Sequence, residues 1–326
     1  MRRPLLTSVG VLASLVLLAG CGTSDYAAPI VAESVGPPLP SGAVLLPSTG
    51  TPAPVAVNCA DAGSLRPDPA VQADRVRTSS GSVERIRERG RVIVGLDQGS
   101  NLFSFRDPLS GDLLGFDVDV AHEVARDLFG NPDRVEFRFL SSAEREQALQ
   151  DSTVDMVIKT MTITCKRAET VSFSTVYYLA HQRILVTADS KVEDASGLAG
   201  SRVCVVAGTT SIGALKQAQP AVSIMTVPSW GDCLVALQQR QVDAVSTDDT
   251  ILAGMVAQDP NLKIVGPPIE AEPYGIGMHK GDDDLVRFVN GTLERIRQDG
   301  RWNQFYDRWL KVLGPSPGPP PAVYSD

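Results

Sequence analysis

The sequence contains few histidines, with His122, His181 and His279 the only three in 326 residues. Zinc sites are usually built from histidine and cysteine at short, regular spacings, and no pair of the five cysteines has such a spacing. We therefore expect neither a metal site nor a cofactor. The H-E-x-x-H motif of zinc hydrolases is also missing, and no lyase domain is appended. We do not expect an enzyme.

Basic residues are outnumbered by acidic ones. Thirty Lys and Arg residues face 38 Asp and Glu residues, which gives a formal net charge of −8. Nucleic-acid-binding domains normally carry a basic surface, so we expect no nucleic-acid partner. After the N-terminus, no hydrophobic run approaches the roughly 20 residues that span a bilayer. We expect no membrane-spanning segment in the body of the protein.

The N-terminus combines basic residues, a short apolar run and a cysteine. Arg2 and Arg3 precede the apolar run at 5–18, which is too short to be a permanent transmembrane anchor. The tetrapeptide Leu18-Ala-Gly-Cys21 follows, and this pattern is typical of a bacterial lipoprotein signal. The sequence predicts a signal peptide at 1–20, lipid on the Cys21 thiol, and a location on the extracytoplasmic face of the membrane.

Removal of the lipidated cysteine from the count leaves four others, namely Cys59, Cys165, Cys204 and Cys233. An even number of cysteines in an exported protein favours two disulfides, and four cysteines allow three pairings.

The segments that flank the body are poor in charge and rich in Pro, Gly and Ser. Residues 21–57 are expected to form a flexible tether, and residues 314–326 a disordered tail. Between them, apolar runs with strand and helix periodicity alternate, and this βαβ rhythm restarts near residue 183. The late run at 285–310 is predicted to be helical, with Trp302 and Trp309 in an aromatic stripe that serves packing.

This rhythm predicts an α/β protein with two lobes and a ligand cleft between them. Lobe 1 is expected at 58–182 plus 272–313, and lobe 2 at 183–271. Disulfides between lobes would block hinge motion, so the pairs Cys59–Cys165 and Cys204–Cys233, each within one lobe, are predicted.

Seven motifs, in this order and spacing, resemble the amino-acid-binding class of bacterial extracellular solute-binding proteins. The resemblance extends from Ile86 to Leu310 and implies the two-lobed periplasmic-binding-protein-like fold. The motifs are Val92-Ile-Val-Gly-Leu-Asp97, Gly115-Phe-Asp-Val-Asp-Val120, Met161-Thr-Ile-Thr-Cys-Lys-Arg167, Phe173-Ser174, Ala207-Gly-Thr-Thr-Ser211, Val242-Asp-Ala-Val-Ser-Thr-Asp248 and Pro273-Tyr-Gly-Ile-Gly277.

An enclosed amino acid is a zwitterion, and each of its charges needs a partner. The resemblance implies that Arg167 and the helix start at Gly208 and Thr210 hold the α-carboxylate, because guanidinium groups and helix N-termini suit anions. It also implies that Thr162 contacts the ligand and that Asp248 pairs with the ammonium group, with Asp249 as the fallback. Thr160 is expected to face the same side as Thr162.

The side chain of the ligand is expected to be read by a further group of residues. Asp97 matches a position that accepts from an amide in glutamine binders, whereas Arg145 and Lys159 favour a carboxylate. The residues expected to complete the pocket are Ser100, Asn101, Phe103 and Trp230. The resemblance therefore implies a binding protein for glutamate, aspartate or their amides.

The expected partners are a small polar amino acid, the membrane permease of an ABC importer, and the membrane itself through the lipid anchor. One alternative is a sensor subunit that signals to a membrane protein. A further alternative is a dehydratase-like enzyme, because some relatives with this fold have that activity.

Overall fold

The computed structural model describes residues 38–46, 56–69 and 81–326. The predicted signal peptide, Cys21 and most of the predicted tether lie outside these residues. In the described part of the chain, no helix has both the length and the apolar character needed to cross a membrane.

The strands of the described residues are short except for two. In chain order they are β1 (Val44–Leu46), β2 (Val92–Leu96), β3 (Gly99–Ser100), β4 (Ser104–Arg106), β5 (Leu113–Leu114), β6 (Val135–Phe139), β7 (Met156–Val157), β8 (Val171–Phe173), β9 (Tyr178–Thr187), β10 (Arg202–Val206), β11 (Ser223–Val227), β12 (Ala244–Asp248), β13 (Leu262–Tyr274) and β14 (Gly277–His279).

The helices cover the faces of the sheets. In chain order they are α1 (Ser82–Arg89), α2 (Phe116–Phe129), α3 (Arg145–Gln150), α4 (Cys165–Thr170), α5 (Ser211–Ala218), α6 (Trp230–Gln238), α7 (Asp249–Gln258), α8 (Asp283–Gln298) and α9 (Arg301–Trp309), with short 3-10 helices at Ala60–Ala62, Ala195–Leu198 and Lys311–Leu313.

Two mixed sheets form the centres of two lobes, as predicted. Lobe 1 has the strand order β6-β2-β7-β14-β8, in which β2 runs parallel to both of its neighbours. Lobe 2 has the order β1-β11-β10-β12-β9-β13, in which β10 runs parallel to β11 and β12. All five residues of β2 are buried, which is typical of a central parallel strand covered on both faces.

Strands β9 and β13 connect the lobes. They pair antiparallel from Tyr178 opposite Tyr274 to Thr187 opposite Leu262, with one irregularity between Val265 and Glu270. The end of this strand pair that contains Tyr178 and Tyr274 lies in the core of lobe 1, where both residues are buried. The chain therefore crosses between the lobes twice, and the cleft lies beside these two connecting strands.

Both predicted disulfides are present. Cys59 is bonded to Cys165, and Cys204 is bonded to Cys233. The first joins the segment at 56–69 to the start of α4 in lobe 1, and the second joins β10 to α6 in lobe 2. Each bond therefore joins two segments of the same lobe, and neither bond connects lobe 1 to lobe 2.

The run at 285–310 is helical, as predicted, and it forms two helices. Helix α8 ends at Gln298, and α9 begins at Arg301. Gly300 lies between them with a φ of 81°, in the left-handed region that favours glycine. The aromatic stripe packs as predicted, with Trp302 and Tyr306 buried in the core of lobe 1.

The expectation of an unstructured tail was wrong. Residues 314–326 lie against lobe 1, where Ser325 N–H donates to the Ser64 carbonyl at 3.0 Å and Asp326 pairs with Arg287 at 2.6 Å.

The tether prediction needs a related correction. Val44–Leu46 pairs antiparallel with Ile224–Thr226 at the edge of the lobe 2 sheet. Backbone hydrogen bonds hold both segments, and an ion pair also holds the tail. Amino-acid composition predicts neither kind of contact.

Candidate functional site

The two lobes enclose a narrow pocket of about 10 Å³, which is room for about one water molecule, and we call it the cleft cavity. Its lining is mostly polar and comes from both lobes. The lining residues are Ser142, Arg145, Thr160, Thr162 and Arg167 from lobe 1, and Thr209, Thr210, Ser211, Trp230, Thr247, Asp248 and Ile251 from lobe 2.

Arg167 contributes a buried cation to this cavity. The N-cap residue Thr164, whose hydroxyl accepts from Arg167 N–H at 3.2 Å, fixes the start of α4. The guanidinium donates to the Thr162 carbonyl at 2.8 Å, to the Gly208 carbonyl at 3.1 Å, and to Glu146 at 3.2 Å. Because Gly208 belongs to lobe 2, Arg167 contacts both lobes.

Arg145 lies beside Arg167 and is also buried. It donates to the carbonyls of Ser142 at 2.9 Å, Lys159 at 3.0 Å and Gly208 at 3.2 Å. Burial and the neighbouring charge of Arg167 lower the pKa of Arg145 to about 9, so it remains charged at neutral pH. Two guanidinium groups thus converge on one carbonyl oxygen, an arrangement that suits an anion.

The loop between β10 and α5 approaches lobe 1 closely. Gly208 has a φ of 76°, and a Cβ at this position would lie 2.6 Å from the Cα of Ala143. Only glycine fits both the left-handed conformation and this contact. The N-terminus of α5 follows, and its dipole adds to the positive character of this side of the cavity.

Asp248 provides negative charge at the end of β12. Its Oδ2 accepts from the Tyr274 hydroxyl, whereas its Oδ1 is buried and has no hydrogen-bond partner among the described residues. Burial and the nearby charge of Glu272 raise the pKa of Asp248 well above its usual range. A buried carboxylate oxygen without a donor is costly, so this side of the cavity suits a cationic donor.

Glu272 is a buried carboxylate that the sequence analysis missed. It accepts from the Thr162 hydroxyl at 2.5 Å and from the Thr210 hydroxyl at 2.9 Å. The hydroxyls of two predicted ligand contacts are thus directed to a protein carboxylate. The available signal was position, because Glu272 directly precedes the motif Pro273-Tyr-Gly-Ile-Gly277.

Thr160 lines the cavity in a strained conformation, with a φ of 40°. Its N–H donates to Asp117 at 3.1 Å, and the Tyr177 hydroxyl donates to the other oxygen of Asp117 at 2.8 Å. Burial raises the pKa of Asp117 to about 7. Asp117, which the sequence analysis did not assign to the site, therefore holds the backbone of a cavity residue in place.

Three predicted residues contact one another and do not line the cavity. Lys159 pairs with Asp97 at 2.5 Å, and the Ser100 hydroxyl donates to Asp97 at 2.9 Å. Burial opposes ionisation of Asp97, but the charge and hydrogen bond of Lys159, together with the hydrogen bonds from Ser100 and the Gln98 N–H, outweigh it and lower the pKa of Asp97. Asp97 and Lys159 were expected to favour different ligand side chains, but their charges neutralise each other within the protein.

The other residues predicted for side-chain recognition divide between core and cavity. Phe103 was placed wrongly in the pocket. It is fully buried in the core of lobe 1, with its ring 5.4 Å from that of Tyr178. Asn101 donates to the Gly254 carbonyl of α7 at 3.3 Å, across the lobes. Trp230 lines the cavity and also packs in the core of lobe 2.

Three cavity residues were not predicted, namely Ser142, Thr247 and Ile251, whereas Thr209 and Ser211 belong to the predicted helix start around Gly208 and Thr210. Thr247 adjoins the predicted Asp248 in the chain, and adjacency was the signal that could have found it. Within the described ranges, no group of three or more His, Cys, Asp or Glu residues is placed to hold a metal ion.

Comparison with known proteins gave one family and several close relatives. A model of the bacterial extracellular solute-binding proteins, family 3, matches residues 92–312. The chain is 34% identical over 227 residues to the ABC transporter glutamine-binding protein of Bacillus subtilis, covering 69% of this chain and 83% of that protein. It is also 34% identical over 229 residues to the glutamate-binding protein of Corynebacterium glutamicum, covering 67% of this chain and 77% of that protein.

A solved structure gives the same fold. The crystal structure of an ancestral amino acid-binding protein, a precursor of cyclohexadienyl dehydratase, matches with a TM-score of 0.66 at 33% identity. The match covers 71% of this chain and 100% of the other.

Proposed function

Because the chain belongs to the bacterial extracellular solute-binding proteins, family 3, we propose that the cleft cavity binds a polar amino acid as its zwitterion. One observation carries this proposal. Arg167 and Arg145 lie in the lobe 1 wall of the cavity, and the unpartnered Asp248 Oδ1 belongs to the lobe 2 wall. A free amino acid has the complementary pair of charges, and both would be neutralised within one enclosed site.

Each end of the ligand has its own partners in this proposal. Arg167 replaces its bond to the Gly208 carbonyl with a bond to the α-carboxylate, supported by the N-terminus of α5. Asp248 accepts from the ammonium group. Thr160 and Thr162 line the site through their backbone, because the Thr162 hydroxyl already donates to Glu272.

The ligand is glutamate, aspartate or one of their amides. The affinity for the acids is expected to be slightly higher than that for the amides. Arg145 is a cation in the wall of the cavity, and it supports a terminal carboxylate. Asp97 and Lys159 neutralise each other and select neither form. The names of the relatives support the same group of ligands, since one is a glutamine-binding and another a glutamate-binding protein.

We assign the chain to delivery of its amino acid to an ABC importer, as the name of the Bacillus subtilis relative suggests. The lobes, at 58–182 plus 272–313 and at 183–271, would close on the ligand by bending of β9 and β13. The family is extracellular. The N-terminal sequence up to Cys21 supports a lipid anchor on the outer face of the membrane.

An enzyme is the second candidate, since the matched ancestral protein is called a precursor of a dehydratase. The run Gly314-Pro-Ser-Pro-Gly318 has the letters of the hydrolase motif G-x-S-x-G, but it follows the last 3-10 helix and not a strand. The Ser316 hydroxyl donates to Asn303 at 2.9 Å, and the residue is half-buried. We propose binding without turnover, and incubation with candidate dicarboxylates should leave them unconverted.

A thermal-shift screen of the twenty amino acids tests the proposal. A ligand at 100 times its dissociation constant adds about 2.7 kcal/mol to the free energy of unfolding. We expect stabilisation by glutamate, aspartate, glutamine or asparagine, and none by leucine or lysine. Stabilisation by apolar or basic amino acids alone would contradict the proposed ligand class.

A further inference from the structure

Glu272 lies where the two lobes meet, although it belongs to neither wall of the cleft cavity. It is placed near the end of β13, one of the two connecting strands, and its side chain is 1% exposed. Its carboxylate accepts one hydroxyl from each lobe, from Thr162 at 2.5 Å and from Thr210 at 2.9 Å. One buried carboxylate thus joins lobe 1 to lobe 2.

The two threonines differ in how firmly they are tied to β13. Thr162 pairs with Tyr274 in a backbone bridge, and the neighbouring Ile163 N–H donates to the Pro273 carbonyl at 2.8 Å. Thr210 instead precedes α5 in lobe 2. If lobe 2 swings away, the bond from Thr210 to Glu272 breaks first, whereas Thr162 stays beside β13.

We propose that Glu272 is a positioning residue that stabilises the closed arrangement of the lobes, and so slows release of the amino acid. The inference rests on the proposed function, because it concerns closure of that same site. The cavity lining does not include Glu272. The bonds from Thr162 and Thr210 to Glu272 therefore need not be replaced by bonds to the ligand.

The contacts that Arg145 and Arg167 make between the lobes cannot serve in the same way. The Gly208 carbonyl accepts from Arg145 and Arg167, and a ligand carboxylate would compete for these donors. The bond from Thr210 to Glu272 does not compete with the ligand. Its acceptor is charged, and hydrogen bonds to charged groups are the stronger class.

The charge of Glu272 supports this role. Glu272 is close enough to Asp248 to raise the pKa of that carboxyl, after burial itself. An ammonium group bound to Asp248 would reduce the repulsion between the two carboxylates. This gain depends on the ammonium group alone, so it is shared by every amino acid that binds.

The test compares Glu272→Gln with Glu270→Gln by calorimetry and stopped-flow fluorescence. Both variants remove one negative charge from β13, but the threonine hydroxyls donate to Glu272 and not to Glu270. For Glu272→Gln we expect about ten- to hundredfold weaker binding of glutamate, glutamine and aspartate alike, mainly through faster release. Glu270→Gln should bind as the unchanged protein does.

A double-mutant cycle with Thr210→Val separates this role from a general structural one. If both changes break the same bond, the combined loss of affinity will be smaller than the product of the single losses. Glu272→Asp, which keeps the charge, serves if Glu272→Gln does not fold, and it should also release ligand faster.

Three outcomes would overturn the role. They are a folded Glu272→Gln or Glu272→Asp protein with unchanged release rates, a loss confined to one ligand, and multiplicative losses in the cycle. If the unchanged protein binds no amino acid, the proposed function fails, and this role fails with it. If the unchanged protein binds and the variants bind equally well, only the role of Glu272 fails.

Discussion

At the scale of single residues, the cleft cavity is defined by charges that the protein leaves incompletely satisfied. Asp248 Oδ1 has no hydrogen-bond partner among the described residues, and two arginines share the Gly208 carbonyl. Such groups reduce the stability of the empty protein, because buried charges need strong partners. A ligand with a positive and a negative charge would supply the missing partners of these groups.

Replacement of Arg145 tests the assignment of the ligand side chain. We expect Arg145→Ala to weaken glutamate about tenfold more than glutamine, because only glutamate loses a charge-assisted bond. Arg145 also supports the Ser142 and Lys159 carbonyls, but loss of that support affects both ligands and cancels in the ratio. Equal losses, measured by calorimetry, would remove Arg145 from side-chain recognition.

The pH dependence of binding tests the role of Asp248. Burial, Glu272 and Asp249 raise its pKa, against the opposing effects of Tyr274 and Arg145. Burial also raises the pKa of Glu272. A bound ammonium group favours the charged carboxylates, so protons compete with the ligand.

Affinity should therefore rise as the pH increases above the usual pKa range of a carboxyl group, and binding should release protons. Calorimetry in buffers of different ionisation enthalpy measures this release. Affinity that is constant as the pH increases, with no proton release, would contradict the assignment of Asp248 to the ammonium group.

Sequence reasoning found two charged residues that line the cavity, but it did not find the charges that the protein neutralises internally. Arg167 and Asp248 stand in recognisable motifs, and the structure places both in the cavity. Asp97 and Lys159 were read as opposing influences on the ligand, yet they pair with each other. Such a pairing joins residues 62 positions apart, and no local pattern reports it.

At the scale of elements, we expect closure to depend on the contact between α7 of lobe 2 and the loop that follows β3 in lobe 1. A Cβ on Gly254 would lie 2.4 Å from the Asn101 carbonyl oxygen. Gly254 lies in the interior of a helix, where alanine is favoured over glycine by about 1 kcal/mol. The glycine therefore allows the close contact between the lobes, although it lowers the stability of the helix.

Gly254→Ala should separate closure from folding. We expect the free energy of unfolding to be unchanged or higher, and the affinity for every ligand to fall by about tenfold or more. Gly231→Ala in α6 is the matched control, because the nearest atom to its Cβ is 3.8 Å away. Denaturant unfolding and calorimetry measure the two effects. A Gly254→Ala protein that binds as tightly as the control would show that this contact does not limit closure.

Elements with strong periodicity were predictable, and their ends and breaks were less so. The alternation of strand and helix periodicity expected from the sequence appears in the structure, for example in β10 and α2. The 13-residue strand β13 was not foreseen as one element, because Pro267 and Pro268 interrupt its pattern. Its pairing with β9 overrides the local signal, apart from the irregularity before Glu270.

At the scale of the whole molecule, the two-lobed plan follows from the repeated α/β rhythm, whereas the attachment of the terminal segments does not. The segment at 56–69 is held by the Cys59–Cys165 bond and by Asn290, whose side chain donates to the Leu65 carbonyl at 2.7 Å. Asp326 then accepts from the Arg66 N–H at 2.7 Å. These contacts join distant parts of the sequence, so composition alone could not reveal them.

Binding of an amino acid between the lobes is tested most directly by calorimetry on the unchanged protein, Arg167→Ala and Asp248→Ala, with circular dichroism to confirm folding. The unchanged protein should bind one molecule of a polar amino acid. Each variant leaves a buried charge of the ligand unpaired, at a cost of about 3–5 kcal/mol, so binding of every ligand should weaken more than a hundredfold. A folded variant of either kind with nearly unchanged affinity would contradict the proposed cleft or the ligand class.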